Sequence, residues 1–372
     1  MTQIARMGRR TRAAGWAPWL RSPQGSGTTP GAQVRTGRVG AGEAGRHRRR
    51  RWMPGRGAAT QDALAASITR AASLQSYLTV RWLADRAFRG DGFALYAYFR
   101  WLDDEVDERL PDERGRLAFV ARQRALLEAA LDGRPCSVLR RQEALLLGLV
   151  DRDRGRRPLR PAAPSADGEG LPLCLRSMLD VMQLDAGRRG RAVDAATLDA
   201  YTRSLSVAVT EALHHCIGHG AGAPHGADRY VAVRGAHVAH MLRDLVEDVE
   251  AGYLNLPAEL VRDGAHPLAW VHEPDVRAWV QDRVALARSC FAAGRRSFAE
   301  VESRRCRLAG HAYVARFEWV LDAIEHDGYR LRASYPERAT WRGGVRIAVG
   351  AARSALTGSP AAARGARQAV GA

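Results

Sequence analysis

The 372-residue sequence predicts an all-α protein on three observations. Apolar residues recur at three- and four-residue spacing through nine long segments, the period of a helix with one buried face. No stretch of strict apolar–polar alternation bounded by turn residues competes with them. Pro and Gly gather at the ends and in one internal run rather than at the close, regular intervals of a β protein.

Residues 1–58 are expected to be a disordered basic extension, rich in Arg, Gly, Pro, Ser and Thr and poor in apolar periodicity. Helical periodicity then covers 62–89, 92–109, 115–131 and 138–151. The run GRRPLRPAAPSADGEGLP at 155–172, with four Pro and three Gly, predicts a long surface loop. Periodicity resumes over 173–184, 195–217, 228–252, 276–302 and 305–330, where Phe317, Leu321 and Ile324 repeat at helical spacing. Residues 341–372 read as a basic Ala/Gly-rich tail. The expectation is one all-α domain over 59–340, a single helical bundle around a central apolar cavity.

Charge is concentrated at the ends. All 57 basic residues are Arg, and the net charge is +17. Thirteen Arg against Glu43 alone give residues 1–60 a net of +12, and residues 341–372 contribute +5, which leaves the body neutral. RHRRRR at 46–51 could serve as a nucleic-acid or anionic-lipid patch. The favoured reading is an over-extended N-terminus with Met53 near the true start, and no nucleic-acid partner is expected. The five Cys are widely spaced without a CxxC pair, which points to reduced thiols and a cytoplasmic location. No apolar run approaches a membrane span, and no secretory h-region follows the first Arg residues.

The chemistry is concentrated in two acidic runs. RWLDDEVDE, residues 100–108, has five acids in its last six positions and sets Asp103 and Asp107 four apart, on one helix face. HMLRDLVEDVEAGYLNLP, residues 240–257, repeats the arrangement with Arg243, Asp244 and Asp248. Leu95, Tyr96, Phe99 and Leu102 flank the first pair; Val238, Met241, Leu242 and Leu245 flank the second. Carboxylates buried on such helices need cations. Mg²⁺ takes oxygen ligands and is shared between carboxylates and substrate phosphates, so two facing helices can grip a diphosphate, with arginines as planar donors. A charged head beside an apolar cavity suits an allylic prenyl diphosphate, whose ionisation such a site promotes.

With these motifs the sequence resembles the squalene/phytoene synthase family from about Ser73 to Arg332. SYLTVRWLADRAFRGDGFALYAYFRWLDDEVDE is similar to the family's first signature, and LRDLVEDVEAGYLNLP to its second. TLDAYTRSLSVAVTEAL resembles its central helix and YVARFEWVLDAIEHDGYRL its closing one. The resemblance implies an isoprenoid synthase fold and a prenyl transferase joining two allylic diphosphates, farnesyl or geranylgeranyl, head to head with loss of diphosphate. It implies that Asp103, Asp107, Asp244 and Asp248 hold two or three Mg²⁺ ions and take part in catalysis. Arg100 and Arg243 would contact diphosphate, Ser76 and Tyr96 would help at the mouth, and Tyr201 would line the pocket. The sequence departs from the family pattern at His237, in place of Gln; at His240, in place of Asn, where it could still touch diphosphate or metal; and at Asn255, in place of Tyr. Val207–Thr210 replaces a smaller-residue run and is expected to reshape the prenyl channel.

Two other readings stand beside this one: a terpene-synthase-like enzyme ionising one prenyl diphosphate, and a non-catalytic prenyl-lipid-binding relative. No dinucleotide motif follows a strand, and a need for NADPH is left open. Oily products imply peripheral contact with the inner face of the membrane; the oligomeric state is not set by the sequence. His214, His215, Cys216 and His219 are expected to be structural or solvent-facing, and Tyr253, Trp319 and Tyr329 to be packing residues.

Overall fold

Capping residues and apolar stripes divide the described residues into a succession of helices. The computed structural model describes residues 58–137, 140–156, 170–218, 226–250, 252–262 and 270–335. The basic extension through residue 57, residues 157–169 of the Pro-rich run, His219 and the tail 341–372 lie outside the described residues.

The periodic segment 62–89 forms two helices, α1 (Ala58–Ala72) and α2 (Leu74–Leu83), rather than one. Ser73 divides them: it leaves helical geometry, and its hydroxyl accepts from the Ser76 amide at 3.1 Å, an N-cap of ordinary kind. A single 3₁₀ turn, Arg86–Phe88, leads into α3 (Arg89–Asp104). Then come α4 (Glu113–Leu131) and α5 (Arg141–Arg156), followed after the Pro-rich run by α6 (Leu171–Arg188), α7 (Ala195–Cys216) and α8 (Val231–Glu250). The last two are α9 (Pro274–Ala299) and α10 (Arg304–His326). Asp112, Asp194 and Ser303 cap α4, α7 and α10 through their side chains. Among the described residues the only β pairing is one isolated bridge, Val193 with Pro257. No helix among them is long and apolar enough to cross a membrane.

The apolar side chains form two clusters. One is built mainly from α1 to α7 around Leu102, Leu127 and Leu175, with Val233 of α8 and Cys306 of α10; the other mainly from α8 to α10 around Val284, Phe291, Phe317 and Leu321. They meet where α7 packs on α8. On the far side α8 and α9 approach closely because both carry glycine at the crossing. A Cβ on Gly294 would stand 2.5 Å from that of Ala232, and one on Gly235 would stand 2.8 Å from that of Cys290. The α7–α8 seam has a polar end near Tyr201 and Asp248. At its other end an apolar cavity of about 40 Å³ is lined by Leu213, Ile217, Val233, Phe298 and Tyr313 among others.

Candidate active site

The first acidic run does not continue as an α-helix. After Asp104 the chain widens into a π turn, Glu105–Arg109, closed by the Leu110 amide on the Glu105 carbonyl at 3.0 Å. The wider i→i+5 turn keeps Asp103 and Asp107 close in register, and such turns often occur at functional sites. Asp103 is fully buried, and Asp107 nearly so. Burial pushes the Asp103 carboxyl well above the usual range, and the neighbouring Asp107 adds to this against the pull of Arg100. Burial also lifts Asp107 to about 7, although a hydrogen bond from Tyr253 works the other way. One oxygen of each carboxyl, Asp103 Oδ1 and Asp107 Oδ2, is buried without a hydrogen-bond partner.

Arg100 lies on the same helix face, with Nη1 3.4 Å from Asp103 and Nη2 2.5 Å from Asp104. One turn earlier Tyr96 is wholly buried; burial raises its phenol to about 12, while Arg100, Ser73 and Ser76 counter the rise. Ser76 and Ser73 share a hydrogen bond of 2.9 Å. Ser76 and Tyr96, expected at a mouth, are therefore set well inside, because the α1–α2 break turns both serines inward.

On α8, one stripe carries His237, His240, Asp244 and Asp248, all buried. Arg243 donates through both Nε and Nη2 to its neighbour Asp244, and His240 Nε2 is 3.1 Å from the same carboxyl. His237 lies with its ring 5.3 Å from that of Tyr201, and neither of its nitrogens has a hydrogen-bond partner. Burial, with Arg188 nearby, takes its pKa down to about 3, so this imidazole is neutral.

Beside the two acidic runs, Asp185 and Arg188, which the sequence does not single out, form a network with Tyr201, Tyr253 and Asn255. Asp185 and Arg188 of α6 pair at 2.7 Å. Asp185 also accepts from the Tyr201 hydroxyl at 3.1 Å. Arg188 donates to Asn255 Oδ1 at 2.7 Å, and Asn255 in turn donates from Nδ2 to Asp248 at 2.8 Å. The Arg188 guanidinium lies over the Tyr201 ring at 4.5 Å and the Tyr253 ring at 5.5 Å. Tyr253 follows Gly252, whose φ of +88° lets the chain turn back at the end of α8. The Gly252 carbonyl accepts from the Gly190 amide at 2.7 Å, which ties this turn to the end of α6.

Tyr253, expected to pack rather than to touch a cofactor, is buried and also donates its hydroxyl to Asp107. Turn geometry rather than residue type decides this. Tyr253, in the turn that follows α8, thus reaches Asp107 of the first acidic run, while Asn255 joins Asp248 of the second to the Asp185–Arg188 pair of α6. A buried Asp three residues before Arg in the apolar helix LPLCLRSMLDVMQLDAGR was the available sequence signal for the α6 pair.

The donors fit a hard divalent cation. They are carboxylate oxygens, two of them buried without partners, on groups whose raised pKa values a nearby cation would relieve. Among the described residues no three His, Cys, Asp or Glu side chains converge closely enough to hold an ion by themselves.

The histidine run at the end of α7 lies elsewhere. His215 Nε2 is 2.9 Å from Asp91, which also receives Arg152 at 2.6 Å and Arg156 at 2.5 Å. Burial works to raise the Asp91 pKa, but these partners bring it to about 2, a structural ion cluster. Burial holds the Cys216 thiol well above its ordinary range, which leaves it inert. Trp319 and Tyr329 pack against the second apolar cluster.

Comparison with known proteins bears on the family and the fold. A family profile described as Squalene/phytoene synthase matches residues 69–344. A comparison with curated proteins gives no match. Among solved structures, squalene synthase HpnC from Alicyclobacillus acidocaldarius superposes with a TM-score of 0.56 at 19% identity, over 74% of this chain and 97% of that one. A dehydrosqualene synthase in complex with ligand superposes with a TM-score of 0.57 at 15% identity, over 78% and 95%. At such identities the likeness establishes the shared isoprenoid synthase fold. With its family profile spanning most of the sequence, the chain belongs to the squalene/phytoene synthase family of prenyltransferases.

Proposed function

We propose that this protein is a Mg²⁺-dependent transferase that condenses two allylic prenyl diphosphates, farnesyl or geranylgeranyl, head to head and releases diphosphate. The observation that supports the reading is the burial of both carboxylate pairs, with Tyr253 bonded to Asp107 and Asn255 joining Asp248 to Arg188. Asp103 and Asp107 on one side, and Asp244 and Asp248 on the other, would hold the metal. When bound, Mg²⁺ would neutralise the charge that gathers on the departing diphosphate.

Arg100 and Arg243 would bind diphosphate oxygens once these displace their present carboxylate partners. Ser76, Tyr96 and His240 would add donors to the same head. Tyr201, held by Asp185 and stacked on Arg188, would form a wall of the reacting cavity. The prenyl chain would run along the α7–α8 seam. From Asp244 to Val233, at the apolar cavity, α8 rises about 17 Å at 1.5 Å per residue. As the allylic C–O bond breaks, its electrons leave with diphosphate, and the buried seam would shield the resulting cation from water.

Incubation of the full chain with farnesyl or geranylgeranyl diphosphate and Mg²⁺ tests the reading. Diphosphate should appear, and mass spectrometry should find a hydrocarbon of twice the substrate's carbon number. A product no longer than one substrate chain would replace condensation by a terpene-synthase-like reaction; no release from either substrate would overturn the proposal.

A further inference from the structure

The second helix carries a feature that the reaction does not use. Among the described residues the large apolar side chains left exposed are Leu74, Leu78, Trp82 and Leu308, and three of these lie on α2 at four-residue spacing. Leu74 is 53% exposed, Leu78 42% and Trp82 69%, a stripe about 12 Å long at the rise of a helix. The opposite face of α2 is already occupied: Ser76 is buried, Tyr77 stacks on Phe93 at 5.3 Å, and Val80 packs over Gly92. A helix apolar on both sides is normally covered on both.

Leu308, 40% exposed, extends the stripe onto α10. Arg305 of α10 bonds Asp85, just beyond α2, at 2.6 Å, so Leu308 stands within one turn of that junction. The next residues of α10, Ala309, Gly310 and Tyr313, line the apolar cavity. The exposed stripe and the far end of the seam therefore share one side of the molecule.

The charge around the stripe selects its partner. LQSYLTVRWL contains no acid, and Arg70, Arg81 and Arg86 are exposed along or beside it. The neighbouring carboxylate, Asp85, is engaged by Arg305 and by the Gly218 amide at 2.7 Å. The Arg81 guanidinium lies 5.6 Å from the ring of Trp82. An amphipathic ring at the boundary with arginine alongside it is the composition of a helix lying in a bilayer interface, and arginine favours anionic headgroups.

We propose that Leu74, Leu78 and Trp82, ringed by Arg70, Arg81 and Arg86 and continued by Leu308, form the surface by which this protein docks on an anionic lipid bilayer. The surface is read from exposure and charge, independently of the reaction assigned to the site. It would put the apolar end of the seam against the phase in which an oily product dissolves.

The test uses the full chain in flotation with phosphatidylcholine vesicles, with and without phosphatidylglycerol. Wild type should float with the anionic vesicles. The double variant Leu78→Ser/Trp82→Ser should lose about tenfold or more in partitioning, the scale expected when two large side chains no longer bury in lipid. Trp82→Phe keeps the apolar bulk, so it should still float, but it should lack the part of the tryptophan fluorescence that bromine-labelled lipid quenches. This second variant reads the position of residue 82 even if the double variant fails to fold. Equal flotation of wild type and a folded double variant would assign binding to the basic ends and overturn the proposal, as would unchanged quenching in Trp82→Phe. Wild type that stays off vesicles but self-associates through these residues would make the partner a second copy instead. Diphosphate release from detergent-dispersed substrate should be unchanged in the double variant. Failure of that assay in wild type would count against the proposed reaction and leave the docking result standing.

Discussion

Asp107→Asn should make the protein more stable in the absence of metal while removing its activity. In the native state burial holds the carboxyl near 7, against an ordinary value of 3.8. At about pH 8 the folded protein must keep this group ionised, and the difference between those values corresponds to about 4 kcal/mol at most. Asn has nearly the same shape, bears no charge, and still offers Oδ1 to the Tyr253 hydroxyl. After local relaxation the expected gain is about 1–3 kcal/mol, or several degrees in melting temperature for a domain of this size. Neutralising residue 107 also relieves Asp103, so the two effects have the same sign.

The pH dependence isolates the cause. Because the folded-state pKa lies above the unfolded one, the native state holds this proton more tightly than the unfolded chain does. The stability contributed by the group is fully present below about pH 4, falls as pH rises toward about 7, and then levels off. The gap between variant and wild type should therefore open across that window. Thermal melts followed by far-UV circular dichroism, in chelator at about pH 5 and about pH 8, measure it. Mg²⁺ with diphosphate should raise the wild-type melting temperature and narrow the gap. A variant no more stable than wild type at about pH 8, or a gap already complete at about pH 5, would refute the reasoning.

Asp103→Asn and Asp244→Asn should each lower diphosphate release at least about a hundredfold with helical content unchanged; turnover near the wild-type rate in either would remove that carboxylate from the proposed site. Asp91→Asn leaves Arg152 and Arg156 facing a neutral amide and should cost about 3–5 kcal/mol in denaturant unfolding. Since the Asp91 pKa is lowered to about 2, its contribution is present above the unfolded value of 3.8 and lost as pH falls through about 2, a slope the variant should lack. Gly294→Ala sets a methyl against Ala232 at the α8–α9 crossing and should destabilise by about 1–3 kcal/mol, read from the denaturation midpoint.

The sequence determined the helices and the acidic pairs. Apolar residues at three- and four-residue spacing report which face of a helix is buried whatever it packs against, so the succession of helices and their class could be read along the chain. Asp103, Asp107, Asp244 and Asp248 were equally legible, because charge repeated within buried helices stands out from its local background. Where several turns competed for the backbone, local information fell short: Ser73 divides the first long segment, and the first acidic run ends in a π turn. Only the tertiary structure decided which groups complete the site. Asp185, Arg188, Tyr253 and Asn255 come from two elements more than sixty residues apart, and they meet because the Gly190 and Gly252 turns bond to each other. An isolated Asp, Arg, Tyr or Asn has no periodic signal, and its role depends on what folding places beside it.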